Sequence, residues 1–138
     1  MSGTTELVVV GVDGSSASDA ALAWADRYAN ATGASLHLVS AWEWATAYGQ
    51  PMMFDGYHPD SDALGVIEKA RAALTVPAER VHTSATQGHA GYVLVKAAAE
   101  AGLLVVGTEG HRAVSSVLLG SVSTYCIHHA TCPVVVVR

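Results

Sequence analysis

Glycine and serine recur at a fixed spacing in the stretch VVGTEGHRAVSSVLLGS: Gly107, then Gly110 after two residues, then Gly120-Ser121 after nine more. The stretch follows an apolar run, Leu103 to Val106. Glycine lets backbone N–H groups approach a ligand closely and permits positive φ. A helix N-terminus adds unpaired N–H donors and a partial positive charge, and a serine hydroxyl beside it adds one donor more. At the tip of a strand, these residue types can hold phosphate groups with little net positive charge. A second tip carries related chemistry: GVDGSS, Gly11 to Ser16, closes the first apolar run. Asp13 in that turn can accept hydrogen bonds from a ligand, or support the start of a helix, or both. Neither stretch is a G-x-x-x-x-G-K-[ST] phosphate loop or a G-x-G-x-x-G loop opening the first helix.

The elements that must position these tips follow from hydrophobic pattern. Apolar or β-branched runs occupy Leu7 to Val12, Ser35 to Ala41, Val81 to Thr86 and Leu103 to Val106, and Pro133 introduces a fifth, Val134 to Val137. Three of them (7–12, 103–106 and 134–137) are continuous rather than alternating, which predicts strands covered on both faces. Helical spacing marks Ser16 to Thr32, with Ser15, Ser16 or Ser18 as cap and Gly33 as stop. Further helices are predicted over Asp60 to Leu74, Gly91 to Ala101 and Ser115 to Ala130. Alternation of strand and helix predicts an α/β fold: an open, doubly wound, five-stranded parallel sheet with helices on both faces, Rossmann-like in kind. In such a sheet, ligands bind at the carboxyl ends of the strands, where the order reverses. Residues 42–60, rich in aromatics, Met, Gly and Pro, have no clean period and read as a long functional or mobile loop.

Composition narrows the partners. The 138 residues are 51% hydrophobic, enough for one domain, 1–138, with its own core. Seven Lys+Arg against twelve Asp+Glu give a formal charge of −5, and the basic residues are scattered. A nucleic-acid or anionic-membrane partner is therefore not expected. The first residues do not read as a signal peptide, and no stretch reaches the roughly 20 apolar residues of a membrane span. Two cysteines are too few for a disulfide framework. A cytoplasmic protein is the expectation.

Gly107, Gly110 and Gly120-Ser121 together resemble the Gly-x2-Gly-x9-Gly-(Ser/Thr) ATP-binding motif of the universal stress protein family. VVVGVDGSSAS resembles that family's first strand and acidic turn, and LLGSVSTYCIHHATCPVVVVR its closing helix and last strand. The resemblance covers nearly the whole chain and implies the adenine nucleotide alpha hydrolase-like version of the fold. It implies ATP as ligand, with or without Mg²⁺; ADP, AMP and cyclic AMP share the same adenosine. By resemblance, Val12 and Asp13 would meet adenine and ribose, and Ala41 would pack on adenine. Gly107 and Gly110 would cradle ribose and phosphate, and Gly120, Ser121 and Val122 would bind phosphate. It also implies a homodimer paired through strand 134–137, with a protein partner that the residues do not name. Two features depart from the family pattern. Glu109 stands between the glycines, where a carboxylate repels triphosphate unless Mg²⁺ bridges them or the side chain turns outward. Residues 60–86 are short for the family.

Other residues have plainer readings. Cys126, His128, His129 and Cys132 lack the usual zinc spacing and read as buried thiols and helix-end histidines. Trp24, Trp42 and Trp44 read as core or lid residues, with stacking of Trp42 or Trp44 on a base as the alternative. No lysine stands in the phosphate loop and no base pairs with a nucleophile, so slow ATP hydrolysis is the most that is expected. The expected role is an ATP-binding regulatory or sensor module in a cytoplasmic stress response. Its rivals are a dimeric interaction protein with a vestigial pocket and a weak adenine-nucleotide hydrolase.

Overall fold

The computed structural model describes residues 5–108 and 119–138. In chain order it contains β1 (Leu7–Gly11), α1 (Ser16–Thr32), β2 (Ser35–Trp42), β3 (Thr46–Ala47), β4 (Gln50–Pro51), α2 (Pro59–Ala72), β5 (Val81–Gln87), α3 (Ala90–Ala97), β6 (Leu103–Gly107), α4 (Ser121–His129) and β7 (Val134–Val137). Five strands form one parallel sheet in the order β5-β2-β1-β6-β7. The chain builds outward from β1 through β2 to β5, then returns to the other side of β1 with β6 and β7. The winding direction thus reverses between β1 and β6.

Successive residues on the central strands point to opposite faces. Val8, Val10, Leu36, Leu38 and Val105 pack on Ala21, Leu22, Ala25 and Ala29 of α1 and Ile67 of α2. Val9, Val39, Leu104 and Val106 pack on Val93 and Leu94 of α3, Ala98, and Cys126 of α4. Two apolar layers on one sheet explain why its middle strands read as continuous apolar runs.

Helix ends follow local chemistry. Ser15 caps α1 by accepting a hydrogen bond from the Ser18 N–H at 3.2 Å. Gly33, with φ of 82°, ends the helix, its N–H donating to the Ala29 carbonyl. α3 stops at Ala97 rather than continuing to Ala101, because a tight turn closes from the Ala101 N–H to the Ala98 carbonyl. The helix expected over Ser115 to Ala130 begins, among the described residues, at Ser121, since Leu119 and Gly120 are not helical. Residues 115–118 lie outside the described residues.

Residues 42–60 contain a hairpin that hydrophobic pattern did not reveal. Thr46 pairs with Pro51 and Ala47 with Gln50. Tyr48 and Gly49 turn the chain with φ of 53° and 78°, as two-residue hairpin turns require. Tyrosine rarely adopts that backbone, so the turn had no residue signature. Among the described residues, no helix is long and apolar enough to cross a membrane.

Candidate functional site

The carboxyl ends of β1, β2 and β6 and the first turns of α3 and α4 line a cleft that is open to solvent at its mouth. Its first wall is the turn after β1. The Val12 N–H donates to the Val39 carbonyl at 3.0 Å, extending the strand contact by one residue. Asp13 Oδ1 then accepts from the Ser15 N–H at 2.9 Å and the Ser15 hydroxyl at 2.6 Å. The Asp13 N–H donates to the Ser18 hydroxyl at 3.1 Å. Asp13, Ser15 and Ser18 thus brace one another, and the turn is held in shape from within the chain. One Asp13 oxygen carries that brace. A carboxylate has two oxygens and about four lone-pair sites, so acceptor capacity is left over.

The opposite wall comes from β6 and α4. The Thr108 N–H donates to the Val137 carbonyl at 3.0 Å. The Thr108 carbonyl accepts from the Gly120 N–H and from the Ser123 hydroxyl, the latter at 3.1 Å. These bonds seat the start of α4 against the end of β6. Gly120 caps α4 in an extended conformation with no side-chain cap bond. The first intrahelical bond runs from the Thr124 N–H to the Gly120 carbonyl. The N–H groups of Ser121, Val122 and Ser123 therefore form the open first turn of a helix, the geometry that favours an anion.

Most of the residues singled out in the sequence converge here. Val12, Asp13, Ala41, Gly107, Gly120 and Val122 all line the one cleft. Ser121 is exposed beside the cleft and does not line it. Gly110, with its neighbour Glu109, lies outside the described residues. The lining also includes Gly11, from the first strand tip, and Ser18, Val39, Ala90, Leu94, Val106 and Ser123, which were not chosen as site residues from the sequence. For Ser18 and Ser123 a signal existed, a serine in the first turn of a helix; for Leu94 and Ala90 none did. Asp13 is the one ionisable side chain among the described lining residues.

Trp42 and Trp44 are absent from that lining. Their rings meet edge to face at 5.9 Å, and Trp44 meets Tyr57 in the same way at 5.7 Å. Phe54 stacks on Tyr57 at 4.7 Å. The Tyr57 hydroxyl accepts from the Ala45 N–H at 2.6 Å. This aromatic chain ties the hairpin segment to itself, away from the cleft. No α2 residue lines the cleft: α2 lines a groove against α1 that adjoins the cleft through Val12 and Ser18.

The sequence profile described as Universal stress protein family matches residues 5–138. The chain belongs to the universal stress protein family. It is 36% identical over 148 aligned positions to universal stress protein Rv2623 of Mycobacterium tuberculosis, covering 99% of this chain and 49% of that protein. The chain thus spans about half the length of that relative. The universal stress protein UspA of Lactobacillus plantarum superposes with a TM-score of 0.78 at 22% identity, covering 99% of this chain and all of that one. A universal stress protein solved in complex with cAMP superposes with a TM-score of 0.71 at 25% identity, covering 99% of each chain. The fold of this family member matches that of the universal stress proteins on which it superposes.

Proposed function

We propose that this universal stress protein binds an adenine nucleotide, ATP foremost, in the cleft between β1 and β6. It would act as a regulatory module of a cytoplasmic stress response rather than as an efficient catalyst. The observation that carries the reading is convergence. An acceptor (Asp13), an apolar wall (Val12, Ala41, Val39) and an open helix N-terminus (Gly120 to Ser123) face one cleft at the point where the strand order reverses.

Each part has a chemical role in that reading. The free acceptor capacity of Asp13 takes hydrogen bonds from the nucleoside. Ala41 and Val39 offer a flat apolar surface to adenine. The first-turn N–H groups of α4 take phosphate oxygens, joined by the exposed Ser121 hydroxyl beside the cleft, with Gly107 on the approach. The cAMP complex of the 25% identical relative makes cyclic AMP a ligand to test beside ATP. Binding is favoured over turnover because no base–nucleophile pair stands in the described lining, where Asp13 already serves the turn. A homodimer through β7 belongs to the same reading, and its structural argument is the open edge of that strand.

The deciding experiment starts from freshly purified protein. The protein is denatured, and any released small molecule is identified by mass. Adenine nucleotide near one per chain supports the reading and names the ligand. An empty protein whose melting temperature does not move with millimolar Mg-ATP or cyclic AMP would overturn it in favour of an interaction protein with a vestigial pocket.

A further inference from the structure

On the sheet face covered by α3, the outer pair of strands carries a polar cluster that the nucleotide reading leaves unused. His37 of β2 and His82 of β5 are direct neighbours in the parallel register. Neighbouring strands lie about 4.8 Å apart, and residues in register put their side chains on the same face. Ser84, two residues beyond His82, is on that face too, and its Oγ lies 2.9 Å from His37 Nε2. α3 packs over β2 and β1. His82 is exposed, while His37 and Ser84 are half-buried. Along β2, Ala41 lies four residues further, roughly 13 Å at strand rise, so this cluster is separate from the cleft.

We infer that His37 and His82 form a two-histidine site for a late first-row divalent cation, Zn²⁺ in the first instance. Imidazole is the common nitrogen ligand for such ions, with Zn–N distances of about 2.0–2.1 Å. Two imidazoles on adjacent strands can therefore share one ion. If His37 Nε2–H donates to Ser84 Oγ, its Nδ1 keeps the lone pair a metal needs; a hydrogen bond of this kind fixes tautomer and ring orientation in metal sites. Among the described residues no third His, Cys, Asp or Glu joins the pair. Water completes the coordination shell, and the site stays open to exchange. A bound ion would also clip the outer strand β5 to β2.

The test is titration of the full chain with ZnCl₂ alone, followed by calorimetry and by the imidazole NMR signals. The expected result is saturable binding of one Zn²⁺, with the His37 and His82 signals shifting together. His82→Ala, at an exposed position, and His37→Gln should each abolish saturable binding, with circular dichroism confirming that both variants fold. Ser84→Ala should weaken binding roughly tenfold. Wild-type protein without saturable Zn²⁺ binding overturns the inference. So does binding that persists in His82→Ala, or that disappears only when His128 and His129 are replaced.

Discussion

A Cβ placed on Gly107 would lie 2.7 Å from both the carbonyl carbon and the carbonyl oxygen of Ala17. The end of β6 therefore rests directly on the first turn of α1. Packing demands the glycine before any ligand does, because a helix backbone cannot swing away as a side-chain tip can. Gly11 offers the contrast. A Cβ there would meet Leu94 Cδ1 at 2.8 Å, the far end of a flexible side chain.

Gly107→Ala should accordingly destabilise the fold by about 1–3 kcal/mol, the usual range for overpacking. Gly11→Ala should cost less, and adding Leu94→Ala should not compound its cost in full. Denaturant midpoints of the variants check the ranking. Equal loss from the two glycine substitutions would mean that the α1 backbone yields as easily as Leu94.

Asp13 is doubly engaged through Oδ1, with the Ser15 N–H and hydroxyl. Asp13→Ala should lower stability by about 1 kcal/mol, the scale of a net hydrogen-bond contribution. Asp13→Asn keeps an acceptor oxygen and should recover most of that loss. Under the nucleotide reading, Asp13→Ala should also weaken ATP binding, as measured by calorimetry. Full ATP affinity in Asp13→Ala would remove Asp13 from the ligand site and leave it only the role of bracing the turn.

Burial, and then the nearby Cys132, push the Cys126 thiol up from 9.0 to about 11. The fold thus favours the protonated thiol. Between about pH 9 and pH 11 the unfolded chain loses that proton while the native protein keeps it. Stability contributed by the thiol is complete below pH 9 and declines as pH rises through this window. Cys126→Ala should flatten that part of the stability–pH curve. At pH 8, a thiol reagent should label half-buried Cys132 well before Cys126, which is fully buried.

β7 sits at the edge of the sheet. The carbonyls of Pro133 and Val137 accept hydrogen bonds from the β6 side, from the Leu104 and Thr108 N–H groups. By alternation, Val134 and Val136 turn their backbone groups to the open edge. If two copies pair there, Val136→Pro should remove one edge donor and weaken the dimer while keeping the β6 contacts. Sedimentation of wild type and variant over a concentration series checks this. A dimer indifferent to the substitution would be built on another face.

Much of the molecule was legible in the residues themselves. Valine runs announced covered parallel strands because a strand apolar on both sides has no other stable home. The serines at 15, 16 and 18 and Gly33 marked the ends of α1 because capping is chemistry between near neighbours, and the structure assigns the cap to Ser15. Gly107, Gly120 and Asp13 were legible as strand-tip and helix-start residues because such turns are set by near neighbours, and all three line the cleft. Tertiary structure alone decided what depends on contact between distant segments. It brought Leu94 and Ala90 into the cleft and set Trp42 against Trp44 and Trp44 against Tyr57. It also set His37 beside His82. Register between strands forty-five residues apart is chosen by the summed packing of both sheet faces, and no local pattern of residues encodes that sum.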